Sequence, residues 1–264
     1  MPTITFVTCW YELKSKFNIL EYKKWMKNFL YNINNFYLVI FTNKKSYYLF
    51  KDLIKDNINI KVIFKEFQEF KCSQYDWIKN HKKNNLLNEN GRFSTDLKLN
   101  MLWNEKIDFV KHVIDEIIFD TPWYGWCDIG YFRTNNNIVE NWPNVDKIKG
   151  LNKDKIYYAK VSNNIDHLVK MVLNKNTLGL PAQEIPPSQI SFAGGFFLIH
   201  KNKCNWWHDI YYNHLTKYFN NNYLVKDDQI IILDCIINNL SHFQIIQEPD
   251  RFKDPWFVFQ NFLL

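Results

Sequence analysis

The sequence YGWCDIGYFR at residues 124–133 places an aspartate and a glycine directly after a run of apolar and aromatic residues. Such a run predicts a buried strand over 124–132, and Gly130 permits a sharp turn at its end. An acidic residue at the carboxyl end of a buried strand lies at the sheet edge where open α/β folds bind ligands. Asp128 is therefore a candidate ligand for Mn²⁺ or Mg²⁺, which prefer oxygen. The alternative is an aspartate that caps a turn and binds nothing.

Short β-branched and aromatic runs alternate with amphipathic stretches along the rest of the chain. They predict strands at 4–11, 36–41, 58–64, 156–161, 191–200 and 243–246, and helices at 21–33, 206–219 and 229–237. The longest helix is expected after a cap at Ser94 or Thr95. This alternation predicts an α/β fold with a mixed, mostly parallel sheet and helices on both faces. Because the chain has 264 residues and no composition break, residues 1–264 are expected to form a single domain.

Two cations lie in positions that suit an anionic ligand. Apolar residues recur every three or four positions in the longest predicted helix, at Leu99, Leu102, Trp103, Val110, Val113 and Ile117. Lys106 falls on this stripe, where burying a cation is costly. It either extends its ammonium group to water or reaches a phosphate of a bound ligand. Arg133 follows the Asp128 strand and is either a surface residue or a partner for a diphosphate.

Further candidates lie in the second half of the chain. Gly194 and Gly195 interrupt an apolar strand, which suits close approach of the backbone to a sugar ring or a β-bulge without a ligand. Asp227 and Asp228 open a helix, so one is expected to cap it and the other to act as a general base or contact an acceptor. His242 is either a further metal ligand or a structural histidine.

Composition excludes several classes of protein. The chain is 47% hydrophobic and 18% aromatic, which is too apolar for disorder, and its net charge of +6 is scattered without a basic arm for nucleic acid. Five cysteines without a CxxC pair favour a reducing, cytoplasmic location over a zinc knuckle or a disulfide framework. No apolar run is long enough to span a membrane. The GxGxxG, GxxxxGK[ST], GxSxG and HExxH motifs are absent.

Seven segments together resemble one family. They are TFVTCWYE at 5–12, VIFTN at 39–43, LWNEKIDFV at 102–110, WCDIGYFR at 126–133, AGGFFLIHK at 193–201, DDQ at 227–229 and PWFVFQ at 255–260. In this order, over almost the full length, they resemble the HtrL/YibB-type glycosyltransferase-like proteins. WCDIGYFR is the most specific of the segments.

The resemblance implies a GT-A-type, Rossmann-like fold that binds a nucleotide sugar, with Asp128 at the DxD metal motif. Gly130 occupies the second acidic position, so a further metal ligand is expected from His242 or from an acidic group near the C-terminus. By analogy with this fold, a set of residues would bind the donor: Thr8, Trp10, Thr42, Asn43, Lys106, Arg133, Gly194 and Gly195. Asp227 or Asp228 would be the base of an inverting enzyme, and Trp256 part of a lid.

The expected function is therefore transfer of a sugar from a nucleotide sugar, with a UDP-sugar favoured, to a glycan or another hydroxyl acceptor, assisted by Mn²⁺ or Mg²⁺. The expected activity is of hexosyltransferase type. Neither nucleic acid nor membrane is expected as a partner, and a homodimer is left open. One alternative is an inactive nucleotide- or carbohydrate-binding module with the same fold. Another is a binder of single-stranded nucleic acid, which the core spacing of the aromatic residues disfavours.

Overall fold

A single sheet of seven strands runs through the computed structural model, which describes residues 2–31, 33–84, 96–134 and 142–264. The strands are β1 (Ile4–Trp10), β2 (Tyr37–Thr42), β3 (Ile60–Phe64), β4 (Trp123–Cys127), β5 (Ile156–Lys160), β6 (Phe192–His200) and β7 (Phe243–Ile246). Their order is β3-β2-β1-β4-β6-β5-β7. Only β6 runs against the other strands described. The predicted mixed, mostly parallel sheet is confirmed.

Helices cover both faces of this sheet, as predicted. The helices are α1 (Ile19–Leu30), α2 (Lys44–Tyr47), α3 (Trp77–Lys83), α4 (Leu97–Asp115), α5 (Val145–Lys149), α6 (Asp166–Leu173), α7 (Cys204–Asn220), α8 (Asp228–Asn238) and α9 (Phe259–Phe262). One core contains side chains from α3, α4, α6, α7 and α8. The opposite core contains side chains from α1, α5 and α9.

The strands alternate between these two cores residue by residue. Phe6 packs in the α1 core and its neighbour Val7 in the α4 core, and Phe196 and Phe197 on β6 divide in the same way. Side chains of a strand point to opposite faces in turn, so a strand that is covered on both faces needs apolar residues at every position. This explains the unbroken apolar runs of the sequence.

The longest helix, α4, differs from its prediction at both ends. Its N-cap is Asp96, whose carboxylate accepts a hydrogen bond from the Lys98 backbone, while Ser94 and Thr95 lie outside the described residues. The helix ends at Asp115, and Ile117 follows with a φ of 49° and a side chain that is 68% exposed. Ile117 therefore does not belong to the buried stripe, because the helical period stops before it.

The strand β4 is also shorter than predicted. It ends at Cys127, and the chain then turns, with the Tyr131 backbone donating a hydrogen bond to the Asp128 carbonyl oxygen at 2.8 Å. Gly130 lies in this turn without a left-handed φ. Its role is close packing instead, because a Cβ added there would lie 2.9 Å from Cε3 of Trp25.

Chain topology places a crevice beside this turn. The chain passes from β1 outward to β2 and β3, then returns to the other side of β1 to form β4. Ligands of open α/β sheets bind at such a reversal, outside the carboxyl ends of the strands. Trp10 and Asp128 stand at those two ends.

Two general findings concern the cysteines and the helices. All five cysteines are buried and unpaired. Within the described ranges, no helix combines the length and the hydropathy needed to cross a bilayer.

The packing at Gly130 gives a first test. Gly130→Ala should lower the free energy of unfolding by about 1–3 kcal/mol, because the new methyl group overlaps the buried Trp25 ring. Gly150→Ala is the matched control, since its Cβ would be 3.4 Å from the nearest atom, the Asp146 carbonyl oxygen. Urea unfolding with an unchanged m-value measures both variants. Equal midpoints for the two variants would contradict this account of Gly130.

Candidate active site

Two adjoining cavities open at the carboxyl ends of β1 and β4. The main cavity has a volume of about 580 Å³, and a side chamber next to it has about 110 Å³. Residues that define the main cavity include Lys16, Lys106, Asp128, Arg133, Gly194, Gly195, Asp227, Asp228 and Trp256. Residues that define the side chamber include Cys9, Trp10, Tyr11, Leu102, Trp126 and Ile129. Both cavities share Tyr22, Leu99, Trp103, Lys106, Asp128, Gly130 and Arg133.

Lys106 brings three separate elements together at the floor of the main cavity. Its Nζ lies 2.8 Å from the Gly194 carbonyl oxygen on β6 and 3.0 Å from Oδ2 of Asp228 on α8. Oδ1 of Asp128, after β4, is 3.4 Å away, and the lysine side chain is only 7% exposed. Lys106 therefore does not extend to water. Burial lowers its pKa, but the two aspartates outweigh this effect and raise the pKa above its usual value.

The two aspartates around Lys106 differ in exposure. The Asp128 side chain is 44% exposed, whereas that of Asp228 is 6% exposed. Asp128 Oδ1 also accepts a hydrogen bond from the indole N–H of Trp126 at 2.6 Å. Burial raises the pKa of Asp228 to about 6, against the opposing effect of Lys106. Asp228 is thus the buried member of the pair, and Asp128 is the member that a ligand can reach.

The glycine pair allows both carboxylates to approach the backbone of β6. A Cβ at Gly194 would lie 2.5 Å from Oδ2 of Asp228, and a Cβ at Gly195 would lie 3.2 Å from Oδ2 of Asp128. The pair also sits in an irregular part of the ladder. Between the pairs Tyr158–Phe197 and Lys160–Phe192 there is one residue of β5 but four residues of β6. The glycine pair therefore lies in an irregular part of the strand, and the groups close to it are carboxylates of the protein. Its predicted contact with a sugar ring stays a prediction.

Asp227 occupies the N-cap position of α8 but does not cap the helix with its side chain. Its Oδ2 pairs with the ammonium group of Lys226 at 3.1 Å. Its Oδ1 is buried without a hydrogen-bond partner among the described residues. The expected capping bond is therefore not made, and a free acceptor oxygen is left in a residue that lines the main cavity.

Two more cations line the main cavity. The guanidinium carbon of Arg133 lies 4.9 Å from the ring centroid of Phe17, 4.7 Å from that of Trp25 and 5.0 Å from that of Phe257. The ammonium group of Lys16 lies 4.9 Å from the ring of Trp103, and burial lowers its pKa. In the part of the chain that the structure describes, neither cation forms an ion pair. Both are thus available to an anion.

Three residues predicted to bind the donor point elsewhere. Thr8 is fully buried within β1, and Thr42 donates its hydroxyl to the Trp10 carbonyl oxygen at 2.7 Å. Asn43 caps α2 by accepting a hydrogen bond from the Ser46 backbone at 2.8 Å. None of these three residues lines either cavity, whereas Trp10 lines the side chamber.

His242 lies at the opposite end of the sheet from Asp128. It precedes Phe243, which pairs with Ile156 at the start of β5, whereas Asp128 follows the end of β4. Its ring is 4.2 Å from that of Trp206, and its Nδ1 is 3.1 Å from Nζ of Lys203. The structure therefore does not bring His242 and Asp128 together.

The expected Mn²⁺ or Mg²⁺ stays a prediction. Among residues 2–31, 33–84, 96–134 and 142–264, no three His, Cys, Asp or Glu side chains are grouped so that they would hold a metal ion. Asp128 and Asp228 lie in contact with the same ammonium group, that of Lys106.

Several cavity-lining residues, most of them in or after the loop that follows β1, are not among those predicted from the sequence. Lys16 and Phe17 in the loop, Tyr22 and Trp25 on α1, and Trp103 on α4 all line the cavities. One signal was available, because a loop that follows the first strand of an α/β fold lies at the ligand-binding edge. A lysine beside a phenylalanine in that loop marks the position. Trp256, suggested for a lid, does line the main cavity.

Comparisons with known proteins give structural matches only. No family model matches the chain, and no curated protein matches it. The apo form of mouse xyloside xylosyltransferase 1 matches with 13% identity and a TM-score of 0.47, covering 91% of this chain and 84% of that one. Galactosyltransferase LgtC with donor and acceptor sugar analogues matches with 11% identity and a TM-score of 0.47, covering 92% and 72%. An active-site mutant of LgtC matches with 12% identity and a TM-score of 0.49, covering 98% and 84%.

The raised pKa of Asp228 predicts a pH-dependent term in stability. Its pKa is raised from 3.8 to about 6, so between these values the native state binds more protons than the unfolded state. Stability from this group therefore falls as pH rises from about 4 to about 6, by roughly 2–3 kcal/mol, and then levels off.

Asp228→Asn removes this term. The free energy of unfolding of the wild type minus that of the variant, measured in urea at several pH values, should fall across this window. A difference that is flat or rises with pH would contradict the raised pKa of Asp228.

Proposed function

We propose that this protein is a glycosyltransferase that moves a sugar, of hexose type, from a nucleotide sugar to a hydroxyl group of a glycan or another acceptor. A UDP-sugar is the favoured donor. The observation that carries this proposal is the main cavity at the reversal point of the sheet, where unpaired cations, carboxylates and aromatic rings meet. Its volume of about 580 Å³ falls within the usual range for small-molecule sites.

The two unpaired cations suit a diphosphate. The guanidinium group of Arg133 is planar and matches the oxygens of a phosphate. The aromatic rings of Phe17, Trp25 and Phe257 pack around it and hold it in place. Lys16 is half-buried and forms no ion pair in the described ranges, so a bound anion would offset the desolvation that lowers its pKa. Cations fixed at this point would also stabilise the departing nucleoside diphosphate as the glycosidic bond breaks.

The side chamber suits a planar base. Trp10 and Tyr11 line it, and the indole N–H of Trp10 is buried without a hydrogen-bond partner in the described part of the chain. A carbonyl oxygen of a bound base would accept this hydrogen bond, and a donor that is buried and unpaired costs free energy otherwise. The chamber adjoins Arg133, so a base there and a diphosphate in the main cavity are compatible with one ligand.

The carboxylates suit the sugar and its acceptor. Carboxylate oxygens accept hydrogen bonds from hydroxyl groups, and Oδ1 of Asp227 is buried without a hydrogen-bond partner among the described residues. In an inverting reaction, Asp227 or Asp228 would be the base that takes a proton from the acceptor hydroxyl. Each carboxylate pairs with one lysine, Asp227 with Lys226 and Asp228 with Lys106. Trp256, on the 3₁₀ turn Pro255–Phe257, would cover the donor from the open side.

Binding of donor nucleotides tests the proposal. UDP-, GDP-, CMP- and dTDP-sugars are compared by calorimetry and thermal unfolding, since a ligand of the native state raises the melting temperature. We expect one nucleotide class to bind and its sugar to be released to water or to an acceptor. Binding without any turnover would point to an inactive binding module, and no binding by any nucleotide would overturn the proposal.

Charge variants locate the diphosphate. Arg133→Met and Lys16→Met keep much of the packing against the rings but remove the charge, so each should weaken nucleotide binding by about tenfold or more. Lys51→Met is the matched control, because Lys51 stacks on Tyr48 at 5.1 Å and lines neither cavity. Equal affinities for all three variants would place the diphosphate elsewhere.

A further inference from the structure

We infer that the ammonium group of Lys106 takes the place of a divalent cation between Asp128 and Asp228, so that this site binds its nucleotide donor without a metal ion. The part of the inference that concerns the nucleotide donor rests on the function proposed above. The part that places Lys106 at the position of a metal ion rests only on the contacts of Lys106.

The ammonium group contacts three oxygens, one through a hydrogen bond and two through ion pairs. It carries three N–H donors. Three oxygens surround it, from Gly194 at 2.8 Å, Asp228 at 3.0 Å and Asp128 at 3.4 Å. Trp126 adds an aromatic face, with its ring centroid 5.6 Å from Nζ. Two carboxylates and one carbonyl oxygen therefore surround the single positive charge of Lys106.

A divalent ion does not fit between the same carboxylates. It would have to lie about 2.0–2.6 Å from the oxygens that the ammonium group now contacts. The two cations would then repel each other at short range. Displacing Lys106 would leave its charge buried, because its side chain is 7% exposed, and an unpaired buried charge is strongly destabilising.

Gly194 and Trp126 position the two carboxylates beside the ammonium group of Lys106. Gly194 leaves room for Asp228, because a Cβ at Gly194 would lie 2.5 Å from Oδ2 of Asp228. The carbonyl oxygen of Gly194 accepts a hydrogen bond from Lys106. The Trp126 indole fixes Asp128 Oδ1 at 2.6 Å. The same glycine pair therefore shapes the site around a protein cation. Lys16 and Arg133 then supply the positive charge that faces a diphosphate.

Binding of Mn²⁺ alone tests the cation position without any nucleotide. The electron paramagnetic resonance signal of free Mn²⁺ should stay unchanged when the wild-type protein is added. Lys106→Ala leaves two carboxylates facing each other, so this variant should gain a Mn²⁺ site and a metal-dependent rise in melting temperature. Lys106→Ala combined with Asp228→Asn is the control and should lose that site again.

Two outcomes would overturn the inference about the cation. One is tight binding of Mn²⁺ by the wild type that Asp128→Asn abolishes. The other is a folded Lys106→Ala variant that gains no affinity for Mn²⁺. If Lys106→Ala does not fold, the wild-type titration and its Asp128→Asn control still decide the question.

Nucleotide binding tests the second half of the inference. The nucleotide class that binds best should bind with the same affinity, within about twofold, in Mn²⁺ and in EDTA. A loss of about tenfold or more in EDTA would overturn metal-independent binding. If no nucleotide binds under either condition, the proposed function fails, while the titration with Mn²⁺ alone still tests the role of Lys106.

Discussion

The buried ammonium group of Lys106 is the constraint on which the site depends. Its three oxygen partners come from the end of β4, the bulge of β6 and the start of α8. Because an unpaired buried charge costs several kcal/mol, each of these elements must be in register for the lysine to be tolerated. The ion cluster therefore links the sheet to two helices of the same face. Displacing any one of the three oxygen partners would destabilise the buried charge and thereby the contacts of the other two.

This cluster explains two unusual features of the sequence. A glycine pair inside the apolar strand β6 would weaken it, yet a Cβ at either position would crowd an aspartate. A lysine on the apolar stripe of α4 would be costly, yet its charge is matched by carboxylates. Residues that violate local rules for strands and helices thus meet at one point, as is common where a fold builds a functional site.

The sequence could predict what depends on local pattern. Apolar runs indicate a doubly covered sheet. Asp128, Lys106 and Gly194 are polar or flexible residues in apolar settings, and Asp228 is an acid at the start of a predicted helix. It could not predict which end of the sheet each loop reaches, because that depends on strand order and direction. For this reason the sequence suggests His242 as a partner of Asp128, although His242 lies beside the edge strand β7 at the other end of the sheet. The proximity of Asp228 to Asp128 likewise requires knowing that β6 lies next to β4.

A charge that belongs to the protein and a charge supplied by a bound metal ion differ in when their desolvation cost arises. A metal ion taken from solution must lose water when it binds, whereas the charge of Lys106 is desolvated once, when the chain folds. The cost then falls on the stability of the folded protein and not on each round of ligand binding, and dipoles and charges that are already oriented need no reorganisation when charge develops beside them. The raised pKa of Asp228 shows where part of this cost lies, because burial works against its ionised form even with Lys106 beside it. A site of this kind gives up some stability of the folded protein and gains an electrostatic environment that does not vary with the supply of metal.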